Sequence, residues 1–287
     1  MALKFSFKLF TILQIVKNMN TQIQEKNINW PEWSIPSDDT QIHLATVLLP
    51  YVKILSPEIV KLIVDDNNSN RKNWTDQFNN LGIKPDIYLW DDSPVTFPGV
   101  RRHSGQKEIG NFKKNSKTAK GKNALLLDDN SFPKEIWAFS LKNCKYVGKR
   151  NPANYSLAHI IDHKDYKSRN AYELMGFQKT KIENSFAGLY TSCINTVWVP
   201  NLLEKPTDHN SKIRQLLIQI LIKNYSSFCK ILPYNLSFKL DHIEEQWRID
   251  RFPSPTIVGN IDYAKNFLEY RNKFMNDKIA SALNIRS

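Results

Sequence analysis

A chain of 287 residues, of which 41% are hydrophobic and 11% aromatic, can bury a sizeable core, and this excludes a mainly disordered protein. Its 40 Lys and Arg residues outnumber 28 Asp and Glu residues, and the formal net charge of +12 favours a polyanionic partner or an anionic membrane surface. A basic surface that only maintains solubility is the third interpretation. Three widely spaced cysteines fit neither a disulfide framework nor a Cys-x-x-Cys zinc pair, so we expect a reducing, cytoplasmic location.

Residues 1–20 are predicted to form a separate N-terminal segment. Lys4 and Lys8 precede a short apolar run that Gln14 interrupts. This run is too short to span a bilayer and is not followed by a signal-peptide cleavage site. We therefore expect a short amphipathic or dispensable segment, with Met19 as an alternative start, in a soluble protein without membrane contact.

Residues 21–123 are predicted to be helix-rich. The apolar spacing predicts one helix from Asp38 to Leu49, which Pro50 ends, and a second helix that begins at Pro57. The polar run 65–70 is expected to end the second helix, and residues 87–90 are predicted as a strand. A turn at Pro98-Gly99 then leads into a basic loop.

This basic loop, residues 101–123, holds eight basic residues and one acidic residue without apolar periodicity. Such a composition is typical of a flexible segment that follows a phosphate backbone, and the alternative is an ordinary solvated loop. The residues that we predict to bind nucleic acid are Arg101, Arg102, Lys113, Lys114, Lys117, Lys120 and Lys122.

Residues 124–287 are predicted to form one further region. A strand is expected at Glu135–Leu141, with residues 144–147 paired to it. Three pieces rich in reactive side chains follow. They are a β-prone run at 157–164, a segment at 188–200 that contains a strand from Thr196, and a helix after Pro206 that Thr207 or Asp208 caps.

The order of these three pieces resembles the ββα-metal, or HNH, nuclease motif over residues 155–224. In that family a histidine near the first strand deprotonates the attacking water. An asparagine at the start of the second strand fixes the loop and, in some members, helps to bind metal. A residue of the helix completes a site for one divalent metal ion, which neutralises the scissile phosphate.

Matching positions can be assigned one by one. Ala158-His159-Ile160 resembles the Ala-His-Ile form of the first motif and Asp162-His163 the Asp-His form, so the resemblance leaves the base open between the two histidines. Asn195 with the following Thr-Val-Trp-Val resembles the second strand. The resemblance therefore implies a site for Mg²⁺ or Mn²⁺, with Zn²⁺ as a further candidate. The implied catalytic residues are His159, His163 and Asn195, and the implied metal ligands are Asp162 and, as alternatives for the helix position, Asp208 or His209.

Other interpretations compete with this assignment. Leu240-Asp241-His242-Ile243 is a second Asp-His-Ile string, with Asn260 and a helix after it. Asp162-His163-Lys164 also has the Asp-x-Lys form of the PD-(D/E)xK nucleases, with Asp86 as its partner. Structural roles compete as well: His159 as a hydrogen-bonded core residue, Asn195 as a turn cap and His209 as an ordinary exposed residue.

We therefore expect an α+β protein with a helix-rich N-terminal half, a ββα-metal-like core and a helical C-terminal region. The predicted function is metal-dependent, HNH-like endonuclease activity on DNA rather than RNA, and the class suggests a bacterial restriction or defence role. A homodimer would suit a double-strand cutter. The alternatives are a non-catalytic nucleic-acid-binding protein with a degenerate motif, and a scaffold protein whose basic surface meets an acidic partner.

Overall fold

The computed structural model describes residues 36–103, 107, 124–148, 151–161, 186–203, 211–233, 238, 240 and 243–284. The chain divides into two units, residues 1–38 and 39–287, and the fold below is that of the second unit. The protein is α+β, as the sequence predicts.

The helices of the described residues are α1 (Asp38–Leu48), α2 (Pro57–Asn80), α3 (Phe132–Lys142), α4 (Ser211–Tyr225) and α5 (Ile261–Asn284). The strands are β1 (Lys53–Leu55), β2 (Val100–Arg102), β3 (Leu126–Asp128), β4 (Tyr155–His159), β5 (Thr196–Pro200) and β6 (Thr256–Val258). Single turns of 3-10 helix lie at Leu49–Tyr51, Pro85–Ile87, Ala187–Tyr190, Glu245–Trp247 and Ile249–Arg251.

Two small sheets position the loops of the molecule. The first has the strand order β4-β5-β1-β6, in which β5 is antiparallel to both neighbours and β1 is parallel to β6. The second pairs β2 with β3 in parallel, with Val100 opposite Leu126 and Arg102 opposite Asp128. The second sheet lies against the Ala187–Tyr190 turn, which belongs to the loop that enters β5.

Helix α5 packs against α2 and α3 and closes the core. Phe267 and Phe274 of α5 meet the ring of Phe97 edge-on, and Tyr270 stacks on Phe139 of α3 with ring centroids 5.2 Å apart. The aromatic face of α5 is therefore a packing surface, although Tyr263 near its start is 37% exposed.

Helix α2 continues past the polar run that was expected to end it. Its first turns bury one apolar face, which consists of Ile59, Val60, Ile63 and Val64. The run 65–70 does not break the helix because Asn67 is a core residue, 1% exposed, whose amide bonds carbonyl groups of the following loop. Polar side chains that find buried partners are compatible with a helix interior.

The strand predicted at Glu135–Leu141 is wrong, since these residues belong to α3. Pro133 lies in the first turn of this helix, and Asn143 ends it in the left-handed conformation. The short alternation of the segment also fits a helix that buries Ile136, Trp137 and Phe139 together. Residues 144–147, expected as the partner strand, are irregular and mostly exposed.

The strand predicted at residues 87–90 is also wrong. Pro85 begins a 3-10 turn, and Tyr88, Leu89 and Trp90 follow it as irregular chain that is buried in the core. A short apolar run indicates a buried segment but does not by itself indicate a strand.

Within the described residues, no helix combines the length and the apolar character needed to cross a membrane.

Candidate functional site

The candidate site lies at one end of the hairpin-like pair β4 and β5. The two strands pair from Tyr155 opposite Pro200 to His159 opposite Thr196. His159 is thus the last residue of β4, and Asn195 immediately precedes β5. The predicted order of a histidine-bearing strand, an asparagine-led strand and a helix is present as β4, β5 and α4. Helix α4 packs beside β5, where Ile213 and Leu216 line a small cavity together with Val199.

Asn195 holds the chain that follows β4. Its side chain is fully buried, and its Oδ1 accepts a hydrogen bond from the backbone N–H of Ile161 at 2.6 Å. Its Nδ2 donates to the carbonyl oxygens of Ile161 at 3.0 Å and of Leu189 at 2.8 Å. One amide therefore joins the segment after His159 to the turn that precedes β5. We call this group of bonds the Asn195 network.

His159 is half-buried and meets the same turn. Its Nε2 lies 3.1 Å from the carbonyl oxygen of Tyr190, and its ring stacks on the ring of Tyr190 with centroids 5.7 Å apart and planes 13° apart. A carbonyl oxygen only accepts hydrogen bonds, so Nε2 carries the hydrogen. In the neutral imidazole the lone pair is then on Nδ1.

Tyr190 in turn is bound to Asp128 at the end of β3. The Tyr190 hydroxyl donates to Asp128 Oδ2 at 2.8 Å and accepts from the backbone N–H of Asn130 at 2.5 Å. Burial, followed by the negative charge of Asp128, raises the pKa of the Tyr190 hydroxyl, which therefore remains a hydrogen-bond donor.

The first residues of the predicted basic loop lie close to this group. Arg102 Nη2 is 3.6 Å from Asp129 Oδ1, and Nε2 of the neighbouring His103 is 3.7 Å from Asp129 Oδ2. The positive charge of Arg102 lowers the pKa of Tyr190 against the effects that raise it, whereas the charge of Arg101 does the same for the buried Tyr88. The two arginines therefore lie in different surroundings, as successive residues of a strand do.

Many predicted site residues lie outside the described residues. They are Asp162, His163, Asp208, His209, Lys113, Lys114, Lys117, Lys120 and Lys122. Within the described part of the chain, no three His, Cys, Asp or Glu side chains lie close enough together to hold a metal ion.

Two residues of the competing assignments are described. The Asn260 side chain accepts hydrogen bonds from the N–H groups of Asp262 and Tyr263, and thus caps helix α5. Asp86 lies exposed in the Pro85–Ile87 turn. The residues that would complete these two sites, Asp241 and His242 in one case and Asp162 and Lys164 in the other, are outside the described ranges.

Sequence reasoning missed Tyr190 and Asp128, which the fold brings to His159. Tyr190 stands in a segment whose sequence indicates only a strand from Thr196, and Asp128 follows the apolar run 124–127. The only signal was that Asp128 begins an Asp-Asp-Asn-Ser sequence ahead of a proline, which is typical of a helix start. Nothing in the sequence links it to a residue 62 positions later.

Comparison of the chain with models of protein families, with curated proteins and with solved structures gives no match.

Proposed function

We propose that this protein is a metal-dependent, HNH-like endonuclease that hydrolyses phosphodiester bonds of DNA. The observation that carries the proposal is the hydrogen bond from His159 Nε2 to the carbonyl oxygen of Tyr190, beside the Asn195 network. An imidazole held in one tautomer at the end of a strand, with its following loop fixed by a buried amide, has the arrangement that a general base needs.

The bond to Tyr190 favours His159 over His163 as the base. With the hydrogen on Nε2, Nδ1 is the atom that takes a proton from water. The resulting hydroxide forms a bond to phosphorus, and the bond from phosphorus to the leaving sugar oxygen breaks. That oxygen receives a proton from solvent, so the products are a phosphate monoester and an alcohol.

The metal ion of this proposal would be held by Asp162, Asp208 and His209. When bound, it would neutralise charge on the phosphate. Asn195 does not fit as a ligand, because its side chain is committed to three backbone groups. In this proposal Asn195 positions the loop after His159.

The net charge supports DNA as the partner. Arg102 is half-buried, and its charge is close enough to lower the pKa of Tyr190 against the effects that raise it. The lysines of residues 113–122 extend the positive charge along the sequence. Three free thiols, Cys144, Cys193 and Cys229, support a cytoplasmic location. A bacterial restriction or defence role follows from the class alone.

Cleavage of supercoiled plasmid with Mg²⁺ or Mn²⁺, with and without EDTA, tests the proposal. His159→Ala should abolish metal-dependent nicking. His43→Ala is the matched control, because His43 is an exposed histidine of α1. His163→Ala and His242→Ala are tested in parallel.

The variants separate the alternatives. Loss of nicking only in His163→Ala would move the base to that residue, and loss only in His242→Ala would move the site to the C-terminal string. A wild-type protein that binds DNA but never cuts it would replace the proposal with the non-catalytic binding protein.

DNA binding has its own test. Substitution of Lys113, Lys114, Lys117 and Lys120 by Gln lowers the formal net charge from +12 by four. The matched control makes the same change at four exposed lysines, which are Lys72, Lys265, Lys273 and Lys278. The first variant should lose affinity about equally for all sequences and show a shallower salt dependence. Equal losses in the two variants would contradict a role for the loop.

A further inference from the structure

We infer that Tyr190 and Asp128 are positioning residues for His159, which link the orientation of its ring to the start of helix α3. The role in DNA cleavage rests on the proposed function, whereas the effect on the His159 ring does not. The inference depends on three contacts in series, from α3 to Asp128, from Asp128 to Tyr190 and from Tyr190 to His159.

The first contact makes Asp128 a fixed point. Its Oδ2 accepts hydrogen bonds from the backbone N–H groups of Ser131 at 2.8 Å and Phe132 at 2.9 Å, where α3 begins. The N-terminus of a helix favours a carboxylate in this position. Helix α3 packs along α5, and Phe132 itself meets Phe97 with ring centroids 4.7 Å apart. The carboxylate is therefore held by a packed part of the core.

The second contact orients Tyr190. Its hydroxyl is bonded on both sides, to the Asp128 carboxylate and to the Asn130 N–H, and the residue is fully buried. A phenol that donates one hydrogen bond and accepts another has a defined ring direction. The charged groups around it are Asp128 of β3 and Arg102 of β2.

The third contact transfers this order to His159 in two ways. The Tyr190 ring stacks on the imidazole and sets its plane, and the Tyr190 carbonyl oxygen binds Nε2 and sets the rotation within that plane. The backbone of the turn is fixed separately, because Asn195 binds the carbonyl of Leu189. Tyr190 is thus the residue through which the half-buried Asp128 carboxylate influences the imidazole.

Histidine-selective ¹⁵N NMR tests this inference on the folded protein, because it reports which ring nitrogen carries the hydrogen. The His159→Gln variant assigns the signal. In the wild type we expect the neutral form of His159 to be the Nε2–H tautomer. Tyr190→Phe removes only the hydroxyl and leaves the carbonyl oxygen that binds Nε2. Because the ring that stacks on the imidazole is then no longer held by Asp128, the ratio of Nε2–H to Nδ1–H should fall about twofold to threefold, which is less than the loss of a whole hydrogen bond would cause.

Asp128→Asn and Tyr225→Phe complete the set. In Asp128→Asn the introduced amide oxygen can still accept from the tyrosine and from the helix, so this variant should give an intermediate ratio. Tyr225→Phe is the matched control, because Tyr225 is equally buried and donates to the Leu55 carbonyl at 2.7 Å. It loses a comparable bond at another position and should leave the His159 signal unchanged.

The inference is overturned if the His159 tautomer is the same in Tyr190→Phe, Asp128→Asn and the wild type. It is also overturned if Tyr225→Phe changes the signal as much as Tyr190→Phe. Should Tyr190→Phe fail to fold, Asp128→Asn alone decides between these outcomes.

Cleavage assays on the same variants separate this inference from the proposed function. If the wild type cuts DNA, Tyr190→Phe should lower kcat about tenfold with KM nearly unchanged, because a misaligned base affects the chemical step. A changed tautomer in a protein that never cuts would keep the positioning role and remove the nuclease. Normal cleavage with an unchanged tautomer would keep the nuclease and remove the positioning role.

Discussion

Two buried asparagines, Asn67 and Asn195, make nearly the same set of bonds in two regions of the molecule. Asn67 Nδ2 donates to the carbonyl oxygens of Ser93 and Val95, at 2.7 and 2.8 Å, and its Oδ1 accepts from Arg271 at 2.9 Å. Asn195 Nδ2 likewise donates to two carbonyl oxygens, and its Oδ1 accepts from a backbone N–H. We call the first group of bonds the Asn67 network.

The difference lies in what each network holds. The Asn67 network ends in Arg271, a fully buried guanidinium that also pairs with Asp66 and lies 5.2 Å from the Trp74 ring. In this network Arg271 of α5 binds Asn67 and Asp66 of α2, and so joins the two helices. The Asn195 network ends beside His159, a half-buried imidazole at the end of β4. An asparagine whose side chain makes all three of these hydrogen bonds is therefore a structural element in both places, and the residue beside it is what differs.

The largest effect is expected from Arg271→Met, which removes the end of the Asn67 network. The substitution leaves Asp66 and Asn67 without their buried partner, and we expect a loss of about 3–5 kcal/mol in unfolding free energy. Urea unfolding measures it. Arg248→Met, in an exposed group of ion pairs, is the control and should change stability by less than about 0.5 kcal/mol. Equal losses of unfolding free energy in the two variants would show that the buried network contributes no more to stability than the exposed ion pairs.

Removal of each asparagine tests the comparison directly. Asn67→Ala and Asn195→Ala each leave buried groups without a partner, at a cost of about 1–3 kcal/mol per group. Urea unfolding should therefore show similar destabilisation. Only Asn195→Ala should also alter the His159 NMR signal and plasmid cleavage. If Asn67→Ala changes that signal equally, the two networks are not separate.

A smaller effect is expected at Gly188, in the turn that the Asn195 network holds. A Cβ at this position would lie 2.7 Å from the carbonyl oxygen of Tyr88 and 2.8 Å from the Trp90 ring. Gly188→Ala should therefore displace the turn and lower stability by about 1–3 kcal/mol. Thermal unfolding measures the loss, and Gly148→Ala, where the added Cβ has open space, should be neutral. A neutral Gly188→Ala would mean that the turn adapts freely.

The smallest effect concerns Glu135, a buried carboxyl that, unlike the two amides, can titrate. Burial raises its pKa, against the opposing hydrogen bond from the Tyr146 N–H. A raised native pKa means that the folded state binds the proton more tightly, so stability is lost as pH rises through the unfolded value towards the folded one.

Glu135→Gln keeps the acceptor and removes the charge. Its unfolding free energy relative to the wild type should therefore increase as the pH rises above the ordinary glutamate pKa of about 4.3. Urea unfolding at several pH values measures this difference, with Glu269→Gln on the exposed side of α5 as the control for general charge effects. A difference that is constant with pH would contradict the raised pKa.

The sequence predicted the long periodic elements and the strand–strand–helix order, because apolar spacing and proline positions are local signals. The predictions from sequence were wrong where the burial of a segment does not follow from its local pattern of apolar and polar residues. Asn67 belongs to a polar run that looks like a helix end, yet the run continues the helix because its partners lie 26 and 28 residues away. Glu135–Leu141 has an alternation short enough to fit either period. Both failures have the same cause, which is that tertiary contacts override local preference.

The candidate site follows the same division. His159 and Asn195 could be selected from their local motifs, since the residue types stand beside predicted strands. Tyr190 and Asp128 could not, because their link to His159 depends on the second sheet reaching the Ala187–Tyr190 turn. The sequence thus indicates the residue that we propose as the base, and the fold is needed to find what orients it.

The order of strands in the first sheet has a consequence for synthesis of the chain on the ribosome. Strand β1 is the inner strand between β5 and β6, and Lys53 pairs with both Trp198 and Thr256. Strand β1 is therefore synthesised about 140 residues before β5 and about 200 residues before β6. Contacts between residues so far apart in the sequence form slowly. Among the described strands, β4 pairs only with β5. The sheet that holds His159 can therefore be completed only after β5 and β6 have been synthesised. Until those partners are made, the edges of β1 and β4 have no strand to pair with, and unpaired strand edges favour aggregation in an incompletely folded chain.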